Sequence, residues 1–171
     1  MPLGQPGVFI ISRWIVDWIA KGIYQRGNQI MLISLFINFV VVAISVLIHF
    51  ETINILTNTL FSAKRSPRIS ILFSLFACFF AHILEVLIFA LAYFIYLQMG
   101  DFGQLSGAQF ASFIDCIYFS LVCYTSLGFG DIAPSGWLRF LAGVEALTGL
   151  LLIAWTASFM YLEMQKHWRV K

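Results

Sequence analysis

Residues 106–136 read SGAQFASFIDCIYFSLVCYTSLGFGDIAPSG. Ser112 and Asp115 form an S-x-x-D pattern, which approximates the capping box that opens a helix. The apolar run that follows, Phe113 to Tyr124, is too short to cross a hydrocarbon core of about 30 Å, which takes about 20 helical residues. It has the length to enter a membrane partway and return. The return path is Thr125, Ser126, Leu127, Gly128, Phe129, Gly130 and Asp131. Non-helical backbone at membrane depth is tolerated only where protein or a water-filled cavity covers it, so a hydroxyl-rich stretch with two glycines needs a specific reason to lie there.

The rest of the chain supplies the membrane. Of 171 residues, 61% are apolar and 11% charged, against roughly 45–50% and about 25% in soluble domains. That is too little charge to cover a water-facing surface, and the 18 Phe suit contact with lipid. A net charge of +2 gives no reason to expect nucleic acid as a partner. Cys78, Cys116 and Cys123 all lie in apolar runs, and their odd number suggests no disulfide framework. Gaps between charges place spans at 29–50, 70–98 and 137–162. The second is interrupted by His82 and Glu85, the third by Arg139 at its edge and Glu145 within. Residues 8–25 differ: Arg13, Asp17 and Lys21 stack on one helical face, with Phe9, Trp14 and Trp18 mostly on the other. This predicts an amphipathic helix lying in the interface. A fourth span over the same residues is the second reading. The fold class expected is an all-α membrane protein, one domain over 1–171, with no soluble regulatory domain.

Sidedness follows from the basic residues. The 51–69 link and the tail after Leu162 each carry a net +2, whereas the 99–136 link carries Asp101, Asp115 and Asp131 and no Lys or Arg. The positive-inside rule puts the first two in the cytoplasm. A plasma (cytoplasmic) membrane location with a cytoplasmic C-terminus is expected. Three spans then leave the N-terminus outside, which conflicts with Arg13, Lys21 and Arg26; a fourth span would remove the conflict.

Ion selection gives the 125–131 stretch its reason. Backbone carbonyls can replace the water shell of a dehydrated cation. Aiming successive carbonyls at one axis requires the backbone to alternate in handedness, and Gly128 and Gly130 stand two apart, as positions with φ > 0 would. The helix before them points its negative end at the place where a cation would wait. The sequence TSLGFGD resembles the potassium-channel signature T-[TS]-[VIL]-G-[YF]-G-D, with Pro134 three residues past the Asp, a short helix before and an apolar helix after. The resemblance covers about 70–163. It implies an outer helix (70–98), a re-entrant pore helix (113–124), a filter (125–131) and an inner helix (137–162), in a homotetramer. It further implies K⁺ bound along Ser126, Leu127, Gly128, Phe129 and Gly130, with Thr125 beneath them and Asp131 hydrogen-bonded behind them as filter support. Gly149 falls near the family's flexing glycine. Ser126 stands where Thr is usual, Phe129 where Tyr is usual, and Tyr118 and Phe119 where many relatives have Trp.

Glu145 sits one turn before Gly149, and His82 and Glu85 share a face of the second span; intramembrane ionisable groups are functional candidates by default. Gly149, Glu145, Glu85 and His82 are therefore the gating candidates. A metal site at His82 and Glu85 would need a third ligand, for which Glu145 is the obvious candidate, so a buried hydrogen-bonded pair is the favoured reading. His49 and Glu51 close the first span at the interface. There is no G-x-S-x-G, no H-E-x-x-H, no phosphate loop and no Arg ladder, so neither an enzyme nor a voltage sensor is expected. No cofactor is expected; the partners are K⁺ as permeant ion and the lipid bilayer. The expected function is passive, selective K⁺ conduction. The alternatives are a weakly selective cation channel on the same fold, or a non-conducting subunit that modulates a partner.

Overall fold

A computed structural model describes the backbone of residues 6–62, 67–107 and 112–168 and the side chains of residues 25–58, 68–107 and 112–165. Among the described residues, four helices carry the fold: α1 (Pro6–Ser62), α2 (Pro67–Met99), α3 (Phe113–Tyr124) and α4 (Leu138–Trp168). Two short strands, β1 (Leu105–Ser106) and β2 (Ala133–Pro134), pair antiparallel. Among the described residues, three stretches of helix are long and apolar enough to cross a membrane: Gln25–Asn58, Arg68–Met99 and Leu138–Gln165. The all-α membrane architecture is thus the one expected from composition and span length.

The chain divides into two units, Met1–Phe36 and Ile37–Lys171. The first is helical from Pro6 onward. The helical backbone expected over 8–25 is present, but the side chains of residues 8–24, on which an interfacial placement rests, lie outside the described residues.

Within the second unit, α1 continues to Ser62, past the end anticipated at residue 50. The polar residues that read as a linker instead satisfy one another along the helix. Thr52 and Thr57 donate to the carbonyls of Ile48 and Ile53, and Asn58 donates to Asn54, which donates to Glu51. Residues three and four apart are neighbours on a helix surface, so these side chains need no loop. Lys64 and Arg65, two of the basic residues of that link, lie outside the described residues.

The core lies where α3 is wedged between α2 and α4. Phe89, Ala90, Tyr93 and Tyr96 of α2, Cys116 and Phe119 of α3, and Leu138 and Leu141 of α4 are buried, and the Tyr93 and Phe119 rings meet edge to face at 5.0 Å. Leu56, Cys78 and Phe159 form a second cluster that joins α1, α2 and α4. Outward-facing Phe39, Phe80 and Leu151 are more than half exposed, as lipid-facing or subunit-facing surface would be.

Candidate functional site

Helix α3 is capped at both ends. At its start the Asp115 amide donates to Ser112 Oγ (3.2 Å) and the Ser112 amide donates to Asp115 Oδ2 (2.9 Å), closing the capping box. At its end the Leu127 amide donates to the Val122 carbonyl (3.0 Å) and the Ser126 amide to the Cys123 carbonyl (2.9 Å). This 6→1 and 5→2 pair is a Schellman motif, whose C′ position adopts left-handed backbone and is usually Gly. Here it is Ser126, at φ 56°. Gly128 and Gly130 follow at φ 60° and 80°. Left-handed residues therefore recur at 126, 128 and 130, one position earlier in the series than the glycines alone indicate. A hydroxyl stands where glycine would be less strained.

Residues 125–130 are exposed in the single chain, Leu127 by 58% and Phe129 by 65%. Thr125 turns its hydroxyl back onto the Leu121 carbonyl (2.8 Å). Behind this stretch Tyr118 Oη donates to Asp131 Oδ2 (2.7 Å), and that bond holds the Asp131 carboxyl below its ordinary range. The segment after Asp131 is tied down by the β1–β2 ladder and by bonds from the Ser135 amide to Gln104 (2.9 Å) and the Trp137 amide to Phe102 (2.7 Å). No sequence periodicity announced this two-residue ladder.

Of the candidate residues further in, Glu145 and Gly149 of α4 both touch the back of α3. Glu145 is fully buried and accepts from Tyr93 of α2 (2.6 Å) and from Ser120 of α3, whose hydroxyl also meets the Val86 carbonyl at 2.8 Å. One carboxylate thus joins three helices. Gly149 packs against the end of α3 so closely that a Cβ there would lie 2.1 Å from the Tyr124 carbonyl oxygen.

His82 and Glu85 form a separate cluster. Glu85 is fully buried and accepts from Tyr124; its two oxygens also lie 3.0 Å from His49 Nδ1 and 3.1 Å from His82 Nδ1. His82 further contacts Tyr124 Oη (2.8 Å) and Thr156 Oγ1 (3.0 Å). The third partner of this pair is therefore His49, not Glu145, and His49 is fully buried against protein. Its signal in the sequence was a stripe: Asn38, Ser45 and His49 recur at seven and four residues on one face of α1, and all three are buried. Polar residues inside a span face protein rather than lipid.

Comparison with known proteins places this geometry. A family model described as ion channel matches residues 81–166, from the middle of α2 through α3 and residues 125–131 into α4. Searches of curated proteins and of solved structures returned no match. Since the matched region takes in just over half of the chain, with all of α3 and residues 125–131, the chain belongs to the ion-channel family.

Proposed function

We propose that this channel conducts K⁺ selectively through a pore formed by four copies of the chain. The observation that carries the reading is the alternation of left-handed backbone at Ser126, Gly128 and Gly130, directly after a capped helix too short to span. Alternating handedness turns successive carbonyls toward one side, where they can replace the hydration shell of a cation. A single strand of carbonyls coordinates from one side only. The exposure of residues 125–130 is what a strand facing a symmetry axis would have in an isolated chain, and cyclic symmetry closes such a ring.

In this reading Ser126, Leu127, Gly128, Phe129 and Gly130 line the ion path, and the Ser126 hydroxyl adds an oxygen at the inner end, above Thr125. Asp131 supports the outer mouth through Tyr118. Glu145 and Gly149 set the position of α4 against α3, and so couple movement of the inner helix to the filter. The residues after α4 face the cytoplasm. A weakly selective cation pore is the second reading. It is favoured by Phe129, which has no hydroxyl with which to tie the filter to the pore helix. The native mass of the purified chain in detergent tests the assembly: four copies per particle are expected, and a stable monomer or dimer would overturn the pore.

A further inference from the structure

Four ring nitrogens converge in pairs on two oxygen groups. The Nδ1 atoms of His49 and His82 meet the Glu85 carboxylate at 3.0 and 3.1 Å, while their Nε2 atoms meet the one hydroxyl of Thr156 at 3.2 and 3.0 Å. The two rings are 5.1 Å apart. Both rings thus turn one nitrogen to the same carboxylate and the other to the same hydroxyl, and the Tyr124 hydroxyl stands 2.8 Å from His82 Nδ1 on the carboxylate side.

We propose that His49, His82 and Glu85 form a binding site for a divalent metal ion of the zinc class, with the Tyr124 hydroxyl in the fourth position. One ligand atom from each of the three residues lies within 4.8 Å of the others. A tetrahedral zinc with bonds of about 2.0–2.1 Å has ligand-to-ligand edges of about 3.3–3.4 Å; the two imidazole nitrogens now lie 3.0 and 3.1 Å from different oxygens of the Glu85 carboxylate, so binding turns that carboxylate to offer one oxygen and draws the ligand atoms in from their present spread. Imidazole with carboxylate suits zinc and its neighbours, whereas calcium and magnesium take oxygen.

The outer groups fit as well. With metal on both Nδ1 atoms, both Nε2 atoms carry protons and donate to the two lone pairs of Thr156, as ligating histidines donate their second N–H. The Thr156 hydroxyl then turns its own proton to the Cys78 thiol beside it. His82 is 18% exposed and offers the approach; His49 and Glu85 are sealed. An ion here links α1, α2 and the last residue of α3, two positions before Ser126.

The test uses the full chain, stripped with chelator and free of any histidine tag, titrated with Co²⁺ alone and then with Zn²⁺. The readouts are visible cobalt absorption and metal content, neither of which depends on conduction. One Co²⁺ per chain with the strong absorption of a four-coordinate site is expected, displaced by Zn²⁺. His49→Gln and His82→Gln should each weaken binding at least tenfold. Thr156→Val, which touches no ligand bond, should weaken it by about 10–100-fold, the usual loss when a group orienting the ligands is removed. The chain has three histidines, so His167→Gln serves as the control and should bind as wild type. Absent binding, weak six-coordinate absorption, or binding that survives His49→Gln or is lost with His167→Gln would overturn the site. Thr156→Val at wild-type affinity would overturn the role of the hydroxyl.

Discussion

Gly128→Ala is expected to abolish the proposed K⁺ flux while the protein still inserts and folds. The residue stands at φ 60° with no heavy atom within 4 Å of the added Cβ, so the effect comes from backbone conformation and not from crowding. Left-handed backbone costs an L-residue about 1–2 kcal/mol, and in the proposed tetramer four copies share one ring. The strain is relieved by turning the peptide, which takes one carbonyl away from the ion path in every chain. Ser126→Gly makes the opposite change. It relaxes the C′ position of the Schellman motif, so α3 becomes no less stable, yet it deletes the hydroxyl at the inner end. Flux of K⁺ relative to Na⁺ in reconstituted vesicles checks both: complete loss for Gly128→Ala, and retained but less selective flux for Ser126→Gly. Wild-type selectivity in Gly128→Ala would remove the basis for the filter.

Gly149→Ala is expected to be nearly as damaging, for a different reason. Its Cβ would sit 2.1 Å from the Tyr124 carbonyl oxygen and 2.9 Å from the carbonyl carbon, contacts with backbone that cannot rotate away. Tyr124 is itself held, through its hydroxyl, by Glu85. Helix α4 must therefore move off α3, at the cost of about 1–3 kcal/mol that overpacking commonly brings. The displaced helix should lower the thermal midpoint of the assembly and reduce flux by at least about tenfold, the change that 1.36 kcal/mol makes in a rate. Gly143→Ala is the control on the same helix, with nothing within 4 Å of its Cβ, and should leave both readouts unchanged. If Gly149 mattered only as a flexing point, Gly149→Ala would alter opening without lowering the midpoint. A lowered midpoint separates close packing from hinging.

The pattern that made residues 106–136 legible is local chemistry: a cap at Ser112, an apolar run of half-span length, and glycines spaced for alternating handedness. Each of these acts within a few residues, so the sequence carries it directly. Three long apolar helices were legible for the same kind of reason, because charge is scarce in lipid. What was hidden depends on tertiary neighbours. The length of α1 beyond residue 50 rests on hydrogen bonds between Thr, Asn and Glu side chains and their own helix, which look like a loop when read by polarity. His49 looked interfacial because it lies near the end of the charge-free run, and only its pairing across 36 residues with Glu85 gives it a role. The left-handed conformation of Ser126 is imposed by the end of α3, against the preference of the residue, and propensity points the wrong way there. Gly149 was picked out by its place on the inner helix, but the carbonyl of Tyr124 that makes it necessary is visible only in the packed structure.

Selective K⁺ conduction is tested most directly by the diffusion potential across vesicles that hold the purified wild-type chain, with a K⁺ gradient in one direction and an equal Na⁺ gradient in the other. A carbonyl-lined filter at Ser126 to Gly130 predicts a membrane potential that follows the K⁺ gradient and is unmoved by Na⁺. A potential near zero in vesicles with demonstrable cation flux would show a non-selective pore. No flux from a correctly assembled protein would contradict conduction itself.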